Sequence, residues 1–307
     1  MTTRRTCVAC AAALLAAAPA FADAFWDHWG DGKAEVSAYD LVYPRYGAPR
    51  SGTAVAVFVT ETFAPALGVK SEDPHRPAAE TVPVMKLNLI QDFPTGVYDY
   101  NLMTSAFVSL ASAAGVEARR TLKVSFSAQE WCGQVYAQAR FESAGIRLVS
   151  HSYFDGEADQ STTLPAKGGL AEDALLVWAR GLADPVLAPG ATAEVPLLRS
   201  LERARLEHVG VDWDPATLTR SKKIERVIVP AGTFEVETLA VSMAAERTWT
   251  FLVERAAPHR VVRFVRSDGM KAELIASKRI PYWTLNGPGR ESTLRELGLT
   301  PRPPRTP

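Results

Sequence analysis

Cysteine is close to absent from this chain. It has three in 307 residues: Cys7 and Cys10 near the start, and Cys132 alone in the body. A lone thiol cannot close an internal disulfide, so the fold must rest on its core. Such a thiol is expected to be buried and inert. Charge bias is lacking too. The 34 Lys and Arg balance 34 Asp and Glu, which leaves no basic field for nucleic acid and no footprint for an anionic membrane. After Ala22 no apolar run approaches bilayer-spanning length. The chain also lacks G-x-S-x-G, G-x-G-x-x-G, a phosphate loop, H-x-H and H-E-x-x-H. These gaps argue against an elbow-type serine hydrolase, a dinucleotide enzyme, a P-loop enzyme and a local zinc motif. No catalytic residue, metal ligand or cofactor is assigned, and the sequence leans away from an enzyme.

What is present begins at the amino end. Arg4 and Arg5 precede an alanine-rich run from Cys7 to Ala18, Pro19 breaks it, and Ala20-Phe21-Ala22 follows. A basic start, a short apolar stretch and a small-x-small end read as a secretory signal over residues 1–22, cleaved after Ala22. The protein is therefore expected in the periplasm or secreted. Arg4-Arg5 leaves both the general and the twin-arginine routes open. Cys10 lies early in that run, whereas a lipid-modified cysteine should follow it.

The rest reads as antiparallel β. Glu35 to Tyr43 and Thr53 to Phe63 form strands around a turn-rich break at Pro44 to Gly52. Ala64 to Pro83 reads as a loop. Val84 to Ile90 alternates, with Met85, Leu87 and Leu89 against Lys86 and Asn88. Further strands are expected over Val97–Leu110, Leu122–Glu130, Trp131–Phe141, Ile146–Phe154, Ala204–Trp213, Lys222–Val229, Thr233–Met243, Arg247–Glu254, Arg260–Arg266 and Met270–Lys278. Asp155-Gly156 and Asp268-Gly269 supply turns. One helix is expected from Leu170 to Ala183, with Leu175, Trp178 and Leu182 on one stripe, and a short one at Ser292 to Leu297. The fold class is mainly β: a large curved antiparallel sheet or open barrel-like sheet with one central helix. Residues 23–184 form an amino-terminal β region and 185–284 a carboxy-terminal one, in one domain or two. Residues 285–307 are a tail, with a proline-arginine end expected to be disordered.

Two stretches carry a resemblance. Val229-Pro230-Ala231-Gly232-Thr233-Phe234-Glu235, with Asp268-Gly269 before an apolar strand, resembles a family of exported bacterial β-rich proteins of unknown function bearing a similar PAGTF turn. Near the amino end, Trp29, Asp31 to Glu35, Tyr39 to Leu41, Arg45 to Gly47 and Val59 to Glu61 look like uncharacterised secreted proteins, some labelled septum formation inhibitors. Lys86 to Asn88 and Thr95 to Tyr98 add to that likeness. The resemblance implies an exported β-rich fold and carries over no catalytic residue.

Site candidates are few. Gln129, Glu130 and Trp131 place polar groups beside an aromatic at a strand end, with Gln129 and Glu130 on opposite faces. His151 and Asp155 belong to the densest polar cluster, in which Asp155, Glu157 and Asp159 alternate without the rest of a calcium-loop pattern. These readings suggest a non-catalytic envelope protein whose curved sheet binds an apolar or lipid-like ligand, or another envelope component. One alternative is a hydrolase using carboxylates such as Glu130 or Asp155. The other is an interaction protein with a solid core and an exposed aromatic patch.

Overall fold

The computed structural model describes residues 18–244 and 247–301, with side chains from Ala24 onward. Most of the expected signal, and the tail from 302, lie outside the described residues.

One continuous sheet takes up most of the chain. Its first half comprises β1 (Ala34–Arg45), β2 (Ala48–Ala64), β3 (Val69–Lys70), β4 (Val82–Pro94), β5 (Asp99–Ser109), β6 (Thr121–Glu130), β7 (Gly133–Glu142), β8 (Gly145–Ser152) and β9 (Gln160–Leu164). The second half comprises β10 (Leu170–Ala171), β11 (Thr192–Leu198), β12 (Trp213–Val229), β13 (Gly232–Met243), β14 (Thr248–Glu254), β15 (Val261–Arg266) and β16 (Lys271–Ile280). Spatial order follows chain order within each half, apart from β3, which hangs on β2. β16 pairs antiparallel with β1, from Ala34 opposite Ile280 to Val42 opposite Lys271, and this seam joins the halves. The expected mainly β, barrel-like fold is what the structure has.

The curvature follows from connectivity. β9 is one edge of the sheet and β10 the other, yet they are consecutive in the chain. The link from Leu164 to Leu170 reaches at most about 20 Å, so the edges must come near each other and the sheet must roll. No ladder joins them, and the barrel stays open. The roll has a dry inner side: Met85, Leu87, Leu89 and Phe93 of β4 join Tyr39, Tyr43, Phe58, Phe126, Phe251 and Phe264 in one core. Lys86 and Asn88 stay half-buried on the other face, as their alternation requires.

The central helix is shorter than expected. Leu170 and Ala171 are taken by parallel pairing with Leu197 and Leu198. A 3-10 turn, Glu172–Ala174, follows, and α-helix remains only at Leu175–Ala179. All five of those residues are buried, so a one-stripe pattern did not describe them. This segment threads the barrel as a plug, from Glu172 near Ser200 and Trp249 to Arg180 near Glu35 and Pro258.

Other expectations need correction. The helices are α1 (Ala18–Trp29), α2 (Leu175–Ala179), α3 (Leu201–Glu207) and α4 (Ser292–Glu296). Where a strand was expected from Ala204, α3 stands instead. Ser200 caps it by accepting from Arg203 N at 3.0 Å, and Arg203 pairs with Glu207 one turn on. The break at Pro44 to Gly52 shrinks to Tyr46 and Gly47, both left-handed, which complete the reversal alone. Trp131 and Cys132 form a turn, not a strand start, and Cys132 is exposed, not buried. Its turn leaves no core for the thiol to enter. On the outside, Leu297, just after α4, covers an apolar patch of Ala34, Val36, Ala38, Val57 and Val59.

Candidate functional site

Strand direction places five connections at one end of the barrel: 46–47, 95–98, 131–132, 153–159 and 267–270. α3 lies across the same end and is tied to the wall around it. Glu202 Oε1 accepts from Tyr43 OH at 2.6 Å and from Arg266 Nη1 at 2.8 Å. Arg205 Nη2 donates to Glu130 Oε1 at 3.0 Å. The Leu206 carbonyl accepts from Arg45 Nη1, and Glu207 accepts from Arg247 Nη1. Ser200 N and Leu201 N donate to the carboxyls of Glu172 and Asp173 at the top of the plug. These are the orphan donors a helix start leaves, answered here by acids.

Beneath α3 lies a cavity of about 40 Å³, lined by Thr104, Glu172, Asp173, Ser200, Glu202 and Trp249 among others. That is room for a few waters, not for a drug-sized molecule. Its acids are already engaged. Glu172 Oε1 accepts from Arg247 Nε and Trp249 Nε1, and Oε2 from Ser200 N. Burial pushes the Asp173 carboxyl well above the ordinary aspartate range, with Glu172 and Glu202 adding to the rise, against a hydrogen bond from Leu201 N.

Outside α3 the rim is aromatic. Trp131 is 76% exposed and Tyr46 57%. Tyr153 and Val97 are also exposed large side chains. The Trp131 and Tyr98 rings face each other at 6.2 Å and 29°. Tyr98 OH donates to Tyr46 OH, which lies 2.6 Å from Tyr100 OH, and Arg45 Nη2 donates to Tyr100 OH at 3.1 Å. Tyr100 stacks on Phe93, and Phe93 on Tyr43, so the rim aromatics continue into the core. Desolvation works to raise the Tyr46 phenol, but hydrogen bonds from Tyr100 and Tyr98 and the Arg45 cation outweigh it and bring it down. Burial and the Tyr46 hydroxyl push Tyr100 up.

The sequence candidates all fall at this end, on different sides. Glu130 turns inward to Arg205, with its side chain 3% exposed. Gln129 faces out, as alternation required. Trp131 sits at the tip. His151 is on the outer face and pairs with Asp159 at 3.0 Å. Asp155 is exposed in the connection after β8. The neighbouring Glu130 carboxylate raises the Cys132 thiol pKa. Sequence reasoning missed Tyr46, Tyr98, Phe154 and Arg205. A signal existed: Tyr46-Gly47, Gly96-Val97-Tyr98, Trp131-Cys132-Gly133 and Tyr153 to Gly156 each set an aromatic beside a turn glycine.

Comparison with family models finds no match, and comparison with curated proteins finds none either. Among solved structures, the chain is similar to a β-barrel-like protein of domain of unknown function DUF1849 from Brucella abortus. The two are 13% identical with a TM-score of 0.44, over 80% of this chain and 98% of that one.

Proposed function

We propose that the protein is an exported, non-catalytic component of the cell envelope that binds another envelope component through the aromatic rim of its barrel. The observation that carries this reading is the row of exposed rings on neighbouring connections at one end, above an interior filled by the plug. Exposed aromatic clusters on otherwise packed proteins mark interaction surfaces. The narrow space beneath α3, about 40 Å³, weighs against a lipid-like ligand at the mouth, since ligand pockets are typically about 300–1,000 Å³; a wider hollow of about 290 Å³ lies among Ala64 to Leu67, Arg76 and Ala114. For the hydrolase reading, Glu130 is turned inward onto Arg205, whereas Asp155 stands exposed in the connection after β8, so one carboxylate is enclosed and the other open to solvent. Export rests on the leader-like amino end.

The test has two parts. Cell fractionation with amino-terminal sequencing of the purified protein should find it outside the cytoplasm, beginning at Asp23. Purified protein should then bind isolated envelope fragments, and the Tyr46→Ala/Trp131→Ala variant should bind at least about tenfold less. A cytoplasmic protein, or equal binding by the variant, would overturn the proposal.

A further inference from the structure

Arg205 and Glu130 form an incomplete ion pair. A guanidinium and a carboxylate can make two parallel bonds, and this pair makes one, Nη2 to Oε1 at 3.0 Å. Arg205 Nε is buried and has no hydrogen-bond partner among the described residues, and Glu130 Oε2 is buried and accepts from no nitrogen or oxygen among them, with the Cys132 thiol beside the carboxylate. Both side chains are more than nine-tenths buried, at 4% and 3% exposure. An unpaired buried donor and acceptor cost free energy that an apolar site would not. The pair lies at the mouth, next in the chain to the Trp131 turn, and the Glu130 charge reaches Tyr46 and Tyr100.

What covers the pair is the connection 153–159. The Arg205 guanidinium lies 3.8 Å from the centre of the Phe154 ring. This connection is held by Glu157 to His208 and by Asp159 to His151, both with exposed histidines, and by bonds from Tyr153 N to the Gln134 carbonyl and from Ser152 Oγ to Glu157. Exposed ion pairs of this kind hold a loop only weakly.

Resting on the reading of the rim as a binding surface, we propose that the mouth recognises a polyhydroxylated chain, a glycan. One sugar ring lies on the exposed face of Trp131. A hydroxyl of the chain enters beside Arg205 and Glu130 when the 153–159 connection lifts. A hydroxyl both accepts and donates, so one group serves the free Nε–H and the free carboxylate oxygen together. Tyr46 OH and Tyr98 OH offer further partners at the rim. A peptide shares this dual capacity through its amides and hydroxyls, whereas a glycan combines hydroxyls along its whole length with ring faces suited to stacking on an exposed indole.

The experiment uses the mature protein with two soluble probes, the tetramer of β-1,4-linked N-acetylglucosamine and cellotetraose. Tryptophan fluorescence and calorimetry read the binding. A saturable signal with either probe, weakened at least about tenfold by Trp131→Ala, supports the proposal. Trp131 is an exposed turn residue, so its loss leaves folding intact. Glu130→Gln should weaken binding similarly, with circular dichroism reporting its fold. No saturable signal up to about 10 mM of either probe, or binding indifferent to Trp131→Ala, overturns it. Isolated envelopes separate this failure from failure of the rim reading. Binding abolished by periodate cleavage of vicinal diols supports the glycan. Binding that survives periodate but not protease overturns the glycan and leaves the rim as a protein-binding surface. No binding to untreated envelopes removes both.

Discussion

Arg180 grips Glu35 with both terminal nitrogens, Nη1 to Oε1 at 2.7 Å and Nη2 to Oε2 at 3.1 Å, and the pair is almost wholly buried. Arg180 also donates to the Pro258 carbonyl at 2.9 Å and lies 4.3 Å from the centre of the Phe58 ring. Glu35 is near the start of β1, so this pair fixes the lower end of the plug to the seam of the sheet. Glu172, bonded to Arg247 and Trp249, fixes the upper end. The plug is thus held by charge at both ends and by apolar packing between. Arg180→Ala leaves the Glu35 charge buried and unpaired, and removing one partner of such a pair costs about 3–5 kcal/mol. Urea unfolding should show that loss. The double variant Glu35→Gln/Arg180→Met, which removes both charges, should recover part of it. A loss below about 1 kcal/mol in the single variant would show that water reaches the pair.

Asp173 makes stability depend on pH with a definite sign. Its folded pKa is raised well above the ordinary aspartate value of 3.8 by burial, with Glu172 and Glu202 contributing. Between 3.8 and the folded value, the unfolded chain has lost the proton and the folded one keeps it. The unfolded state then binds fewer protons, so stability falls as pH rises through that window and is flat below it. Asp173→Asn can still accept from Leu201 N but has no proton to lose. The variant should match the parent near pH 3.8 and exceed it in melting temperature by a growing margin as pH rises toward neutrality. A margin constant with pH would mean that Asp173 is charged in the folded protein.

Gly169 lies where the chain crosses from one edge of the sheet to the other. A Cβ there would come 1.9 Å from the Pro196 carbonyl oxygen and 2.7 Å from the Trp213 ring. Trp213 is held in place by its Nε1 bond to the Pro165 carbonyl at 2.9 Å. Neither neighbour has an easy retreat. Gly169→Ala should destabilise by more than about 1 kcal/mol, although a glycine-to-alanine change at an open site usually stabilises slightly. Gly210→Ala is the control, since nothing lies within 4 Å of its Cβ position. Equal melting temperatures for the two variants would mean that the crossing is loose.

The strands were legible where one face is wet. Met85, Leu87 and Leu89 alternate with Lys86 and Asn88 because water touches only one side of β4. The plug was not legible in the same way. Leu175 to Ala179 are enclosed on every side, so their pattern has no polar face from which to read a period. α3 was missed for another reason. Its signals are a Ser200 cap and the Arg203–Glu207 pair, both local and polar, while Glu202 and Arg205 face inward to partners far away in sequence. The mouth was half legible. Gln129 and Glu130 could be sent to opposite faces by alternation alone, but nothing near Glu130 in sequence announces Arg205. The rim aromatics come together only because the rolled sheet brings successive turns to one end.

Cys132 tests that turn directly. An exposed thiol on the 131–132 connection should react completely with a disulfide reagent in the folded protein, without denaturant. The thiolate is the reacting species, and Glu130 holds the thiol pKa above its ordinary value of 9.0. The labelling rate should therefore be slow at neutral pH and keep climbing with pH past the point where an unperturbed thiol levels off. Replacing Glu130 by Gln removes the negative charge beside the sulfur. That variant should react faster than the parent at pH 8, with the gap closing above both thiol pKa values. Labelling that requires urea would place Cys132 in the interior and displace the Trp131 turn with it. A rate unchanged by Glu130→Gln would instead detach the carboxylate from the thiol while leaving the turn exposed.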